Sequence, residues 1–336
     1  MLESLQESFA AMVILGLFTG AAFGFTLQRG RFCMNTAFRD ILLTKDFTTF
    51  QAYILALLIS IVGVNLLVDF GLIESEIKPF NWLANAIGGY LFGIGIVFAG
   101  GCGSGTWYRV GEGLVGSMVA VLGFAISAMA ASIGKLDFIR KYLRQEDFTI
   151  QINDQAPTLH GLVGANKWIV IAVITAALGI WLFRAQRPAH QKGWTWPVTG
   201  AIIGLLIVFG WWSSSLVGKA EGITLASTTV SLLSYPTVGI PKPNWGMFML
   251  IGIPLGAFVS ARLLGEAKLR GPSEPSRYLK QFGGGLLMGF AAMQSGGCNI
   301  NQGLTNLSML SLGSLEVILF IILGNWTMVW FLFLRD

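Results

Sequence analysis

Apolar residues along this chain come in long unbroken stretches, without the alternation of a half-buried strand. Nine of them, at 9–27, 50–70, 83–100, 114–133, 168–184, 198–212, 245–264, 282–295 and 312–333, approach or reach helical membrane-spanning length. About 20 residues of helix cross the ~30 Å of a bilayer's hydrocarbon. The pattern predicts an all-α polytopic membrane protein with about nine transmembrane helices. The third and eighth runs stop early, at glycine, which predicts short broken or re-entrant helices beside them. The first run follows Glu3 and Glu7 with no Lys or Arg before it, so it reads as a retained helix, not a cleavable signal.

Composition agrees: 54% of the 336 residues are hydrophobic and 12% charged, against about 25% charged in soluble domains. The 43 glycines cluster inside or beside apolar runs, where they mark close helix packing or broken helices. The net charge of +5 lies in short loops and forms no stripe, so it sets topology and does not point to nucleic acid. Loops 28–49 (Arg29, Arg31, Arg39, Lys45), 185–197 (Arg187, Lys192) and 262–281 (Arg262, Lys268, Arg270, Arg277, Lys280) are expected in the cytoplasm. Loop 71–82, with Glu74, Glu76 and Lys78, and the mixed loop 134–167 are expected outside. Nine crossings then put the N-terminus outside and the C-terminus in the cytoplasm.

An internal repeat lies under this pattern. At an offset of 196, "GGYLFGIGIVFAGGCGSG" from Gly88 aligns with "GGLLMGFAAMQSGGCNIN" from Gly284, and Pro79 falls on Pro275. A weaker echo sets "GFTLQRGRFC" from Gly24 on "GITLASTTVS" from Gly222, opposing Cys33 to Ser231. Residues 1–190 and 191–336 read as two repeats of one membrane domain, joined within 185–197. The Cys102 segment starts from the acidic loop and the Cys298 segment from the basic one, so the repeats are inverted. In that architecture substrate sits near the midplane, at the repeat interface.

Three cysteines, none in a CxxC pair, give no zinc site or structural disulfide. Taken singly, a membrane cysteine is a small hydrophobe. Here Cys33 follows "RGRF", Cys102 sits in "AGGCGSG" and Cys298 in "SGGCNINQG", all at expected backbone breaks. Helices restarting at such breaks present free N–H groups and a positive dipole end, which suits an anion. The amides around Gly101 and Gly297 and the side chains of Ser104, Thr106, Gln294, Ser295, Asn299, Asn301, Gln302 and Asn306 are candidate donors. A thiol is a weak, polarizable donor, matched to the soft sulfur or selenium end of an anion better than to sulfate or phosphate. Neutral thiols are required for passage, whereas covalent sulfur transfer would need a lowered pKa. Arg109 and Glu112 read as a local ion pair, and Lys219 and Glu221 as groups at the outer mouth. His160 and His190 read as solvated loop residues. No metal or organic cofactor is implied, and no GxxxxGK[ST] motif is present for ATP.

At "RGRFC", "GGCGSG", "GEGLVGS" and "GGCNINQG" the chain resembles the YeeE/YedE family of membrane proteins, and its thiosulfate transporters in particular. The resemblance implies a bacterial inner-membrane protein that imports thiosulfate, with an hourglass-like bundle pinched by short broken helices. It implies that Cys33, Cys102 and Cys298 contact the anion, and that a separate cytoplasmic TusA-like sulfur carrier is the partner. Some members are linked to selenium or other sulfur compounds, which leaves those solutes as alternatives. The competing class is a membrane sulfurtransferase working through a cysteine persulfide. Topology orders passage from an outer funnel past Cys102 and Cys298 to Cys33 at the basic mouth.

Overall fold

A computed structural model describes residues 9–74, 77–152, 156–184, 193–218, 220–239 and 242–335. Each of the nine expected runs is a helix: α1 (Phe9–Arg29), α3 (Thr48–Asp69), α4 (Trp82–Ala99), α6 (Val115–Ser132), α9 (Lys167–Phe183), α10 (Trp196–Ser215), α12 (Trp245–Leu263), α13 (Pro275–Gln294) and α14 (Leu312–Phe333). Seven are long and apolar enough to cross a membrane; α9 is a shorter apolar helix, and α13 begins with Arg277 and Lys280 in its first turns.

Two helices fall in stretches that hydropathy reads as loops: α2 (Met34–Leu43) and α11 (Ala226–Val238). Their composition hides them, because Asn35 and the Arg39–Asp40 pair interrupt α2, and Ser and Thr fill α11. Each nevertheless buries one side, Met34, Asn35, Ala37 and Phe38 in α2, and Ala226, Thr228, Thr229 and Val230 in α11. Helices α5 (Gly103–Gly111), α7 (Asp137–Leu143) and α8 (Leu159–Val163) are short. A two-stranded ladder, β1 (Phe80–Asn81) on β2 (Thr149–Ile150), completes the elements.

Glycine explains the packing. Helix α1 lies along α12 in parallel, with Gly16 at Trp245, Gly20 at Met249 and Gly24 at Ile253. A Cβ on Gly24 would sit 1.9 Å from the Ile253 carbonyl oxygen, and one on Gly256 1.8 Å from that of Ala21. Such backbone approach is how small residues bring membrane helices together, since lipid offers no hydrophobic drive between them. Helix α10 runs parallel to α3 in the same way, Gly200 at Ala52 and Gly204 at Ala56. By contrast α4 and α13 are antiparallel: Gly88 meets Ser295 and Gly95 meets Gly284.

These contacts give α1, α4, α12 and α14 one direction and α3, α6, α10 and α13 the other. We call the face where α1, α4 and α12 end the lower face, and its opposite the upper face. The elements α1 to α6 recur in order as α10, α11, α12, α13, an irregular segment and α14. Packing partners exchange accordingly: α1 on α12 and α10 on α3, α4 on α14 and α13 on α6. The irregular segment starts at Asn299, widens to a π-helix over Asn301–Asn306 and tightens to a 3₁₀ turn over Leu307–Met309. Helix α4 ends on Gly100 (φ 71°) and α13 is followed by Gly296 (φ 77°). Those left-handed glycines turn the chain at both breaks.

Candidate functional site

Cys33, Cys102 and Cys298 each precede the first residue of a short helical segment, at α2, α5 and Asn299. All three are free thiols with no solvent exposure. Cys33 donates to Cys102 Sγ across 3.7 Å; Cys102 Sγ also accepts the Gly105 N–H at 3.4 Å and lies 3.4 Å from Ser104 Oγ. A methyl group added at Gly103 would stand 3.5 Å from Cys298 Sγ, and one at Gly105 2.7 Å from Cys33 Sγ. Glycine at both positions therefore leaves room at the start of α5 for the Cys33–Cys102 pair beside Gly105 and for Cys298 beside Gly103.

The position of Cys33 departs from the sequence reading, which sets it apart at the basic mouth. After α1 the N–H of Phe32 bonds the Leu27 carbonyl and that of Arg31 bonds Gln28, with Arg31 left-handed at φ 48°. This double bond pattern closes a helix and reverses the chain, returning Cys33 to Cys102. In element order the start of α11, at Leu225, stands opposite Cys33; Ser231, its partner in the sequence echo, lies further along α11.

The candidate donors divide into two sets. Thr106 Oγ1 bonds the Cys102 and Gly103 carbonyls, and Ser295 Oγ those of Ala291 and Gly297. Gln302 donates to the Ser295 carbonyl and accepts from Ser314 and Asn306. These groups hold the break together. In contrast, both amide atoms of Gln294 and of Asn299, and Nδ2 of Asn301, are buried without a hydrogen bond in the protein. An unpaired buried polar atom costs about 1–3 kcal/mol, and five lie within eight residues around Cys298. The flanking glycines serve space: a Cβ on Gly297 would strike Asn301 Oδ1 at 1.9 Å, and one on Gly101 would lie 2.9 Å from Arg109 Nη1.

Above the break opens a cavity of about 560 Å³ on the upper face, lined by Ser295, Gly296, Gln302, Ser231, Arg140 and Arg144 among others. Arg140 is paired with Asp137. Arg144 donates instead to the Met293 and Gln294 carbonyls at 2.9 and 3.0 Å, and so caps the end of α13. Burial pulls its guanidinium down to about 10, which leaves it charged at neutral pH. Sequence reading passed over this pair, inside a loop of mixed charge; its only signal was the four-residue spacing that aligns two arginines on one helix face.

At the lower face the expected Arg109–Glu112 pair is not formed. Arg109 donates to the Gly100 carbonyl, and Glu112 accepts from Gln28 Nε2 at 3.2 Å. The same Nε2 donates to Glu266 at 3.1 Å, while Gln28 Oε1 accepts from Ser260. Glu221 lies with its N–H on Ser214 Oγ; Lys219 and His190 fall outside the described residues. His160 Nε2 is 3.4 Å from Thr158 Oγ1, at the start of α8.

The sulphur transport family model matches residues 29–327. Over 331 residues the chain is 38% identical to the thiosulfate transporter TsuA of Spirochaeta thermophila, covering 96% of this chain and all of that protein. It is 34% identical to TsuA of Escherichia coli K12, over 97% of this chain and 96% of the relative. A shorter similarity, 38% over 104 residues, links it to the probable transporter YedE of Escherichia coli, of which it covers 25%.

Proposed function

The chain belongs to the sulphur transport family, and from that premise we propose that it carries thiosulfate inward across a bacterial inner membrane. The observation that carries the reading is the placement of three buried thiols around the start of α5, Cys33 on Cys102 and Cys298 beside Gly103, with carboxamides near Cys298 in sequence that no protein group among the described residues satisfies. Thiosulfate has two unlike ends. Its terminal sulfur is soft and polarizable, as the thiols of Cys33, Cys102 and Cys298 are; its three oxygens take the amide N–H groups of Gln294, Asn299 and Asn301. Helix dipoles at three N-termini favour the negative charge, and the Arg109 guanidinium, held on the Gly100 carbonyl beside Gly101, adds to it at the same break.

In this reading the upper face is outside. Arg140 and Arg144 raise the anion's concentration in the upper cavity, and at an effective dielectric of 20 one unit charge at 4 Å is worth about 4 kcal/mol per anion charge. Arg144, bonded to carbonyls and to no carboxylate, contributes more of this than Arg140. The anion then passes the broken segments, exchanging oxygen contacts for thiol contacts, and leaves at the lower face. A separate TusA-like sulfur carrier receives it in the cytoplasm. We read the two halves as inverted repeats, supported by the recurring element order, the exchanged packing partners and the antiparallel α4 and α13.

We read the chemistry as transport and not sulfur transfer; the support is that, among the described residues, Cys102 Sγ meets Cys33, Ser104 and the Gly105 amide and no carboxylate or imidazole. Uptake of radiolabelled thiosulfate into proteoliposomes containing this protein alone tests the proposal, with sulfate, sulfite and selenite as competitors. Uptake above protein-free liposomes, resistant to excess sulfate, is expected. No uptake, or intact masses showing a cysteine that gained one sulfur, would replace transport by the sulfurtransferase reading.

A further inference from the structure

Glu112 is the one charged side chain among the described residues in the buried set, 7% exposed. It follows the last residue of α5, the helix whose first turn carries Cys102. Gln28, fully buried in the last turn of α1, holds it and Glu266 through one amide nitrogen, and Ser260 of α12 fixes the other end of that amide. One side chain thus fastens the lower ends of α1, α5 and α12 together. Five residues beyond Gln28 stands Cys33. The clasp therefore closes the lower side of the two elements that bring Cys33 and Cys102 into the site.

Two carboxylates at this point oppose a dianion moving down from the thiols. A carboxylate repels a like-charged anion, and the more so where the surroundings are less polar than water. The groups facing Glu112 are Gln28 of α1, Tyr108 and Arg109 of α5, Arg31 of the turn after α1, and Glu266 after α12, whose carbonyl also holds Arg270. Arg31 is already paired with Glu266. Of what remains to attract an anion at the exit, Arg109 donates to the Gly100 carbonyl and Gln28 is engaged by Glu112 itself.

We propose that Glu112 is the inner gate: its carboxylate occupies the Gln28 amide as a built-in anion, and taking up a proton loosens its hold on Gln28 and lets the transported anion through. Burial raises the Glu112 carboxyl above the ordinary carboxylate range, opposed by Gln28, Arg109 and Arg31. Protonation accordingly begins at a higher pH than for a surface glutamate, and passage quickens as pH falls through that window. The inference rests on the thiosulfate reading above.

The test is thiosulfate exchange at equilibrium in proteoliposomes, with the same pH on both sides so that protein orientation does not matter. The native protein is expected to exchange faster as pH falls from neutral to weakly acidic. Glu112→Gln is expected to exchange at neutral pH roughly tenfold faster than the native chain, an effect of about 1.4 kcal/mol on the barrier, with a flat pH profile. Gln28→Leu, which removes the donor and leaves the carboxylate charged, is expected to exchange no faster than the native protein at neutral pH. If Glu112→Gln keeps the native pH slope or exchanges no faster than the native protein at neutral pH, or if Gln28→Leu speeds exchange, the gate is wrong while transport stands. No exchange by the native protein at any pH overturns the transport reading and the gate with it.

Discussion

The two halves of the chain share an order of elements but not a chemistry. The first contributes Cys33 and Cys102 at the starts of α2 and α5; the second contributes Cys298, and Leu225 stands where a fourth thiol would complete the pattern. The carboxamides are just as one-sided. Gln294, Asn299 and Asn301 belong to the second half, and at the repeat offset the first half has Phe98, Gly103 and Gly105. On the proposed reading of two inverted repeats, one scaffold used twice yields a site with sulfur weighted to the first half and amides to the second. Such a site suits an anion with two unlike ends better than a symmetrical one such as sulfate.

Breaking the amide side has the largest expected effect. Asn299→Leu removes a donor near Cys298 and puts an apolar group in its place, and uptake should fall by about 100-fold, the loss of one or two charge-assisted hydrogen bonds at about 1.5–3 kcal/mol each. Initial-rate uptake with a thermal-melting control checks it, and Asn299→Ser should recover part of the loss. The entrance comes next. Arg144→Gln keeps a donor for the α13 carbonyls but removes the charge, so the half-saturating thiosulfate concentration should rise roughly tenfold at low ionic strength and less as salt screens the cavity. Equal effects at all ionic strengths would make Arg144 purely a cap. The smallest change is at the vacant thiol position: Leu225→Cys fills the pattern without adding to the amide side, and uptake should stay within about twofold of native because the new thiol adds at most one weak donor. A large gain there would mean that thiol count, not the pairing of thiols with amides, sets the rate.

Much of the fold was legible in the sequence because membrane helices announce themselves by length and composition: all nine apolar runs are helices, and the glycines that stop the third and eighth runs turn the chain at both breaks. Helices α2 and α11 were not legible, since a short helix packed inside a bundle needs only one buried side and carries polar residues elsewhere. The three cysteines stood out by their glycine neighbours. The contact of Cys33 with Cys102 did not, because it depends on a left-handed Arg31, a conformation usual for glycine and seldom foreseen for arginine. The candidate donors were all visible by type, yet sequence could not tell Thr106, Ser295 and Gln302, which bond the break itself, from Gln294, Asn299 and Asn301, which do not. The Gln28 clasp escaped notice since its partners lie 84, 232 and 238 positions away.

The central claim is that the thiols take the soft end of the anion and the carboxamides its oxygens. A crystal structure of the protein soaked with selenosulfate, in which selenium replaces the terminal sulfur, places that soft atom directly by anomalous scattering. The account predicts a selenium peak in contact with the sulfurs of Cys33, Cys102 and Cys298, with the oxygens on Gln294, Asn299 and Asn301. A peak among the carboxamides with the oxygens on the thiols, or an anion held elsewhere, would contradict it.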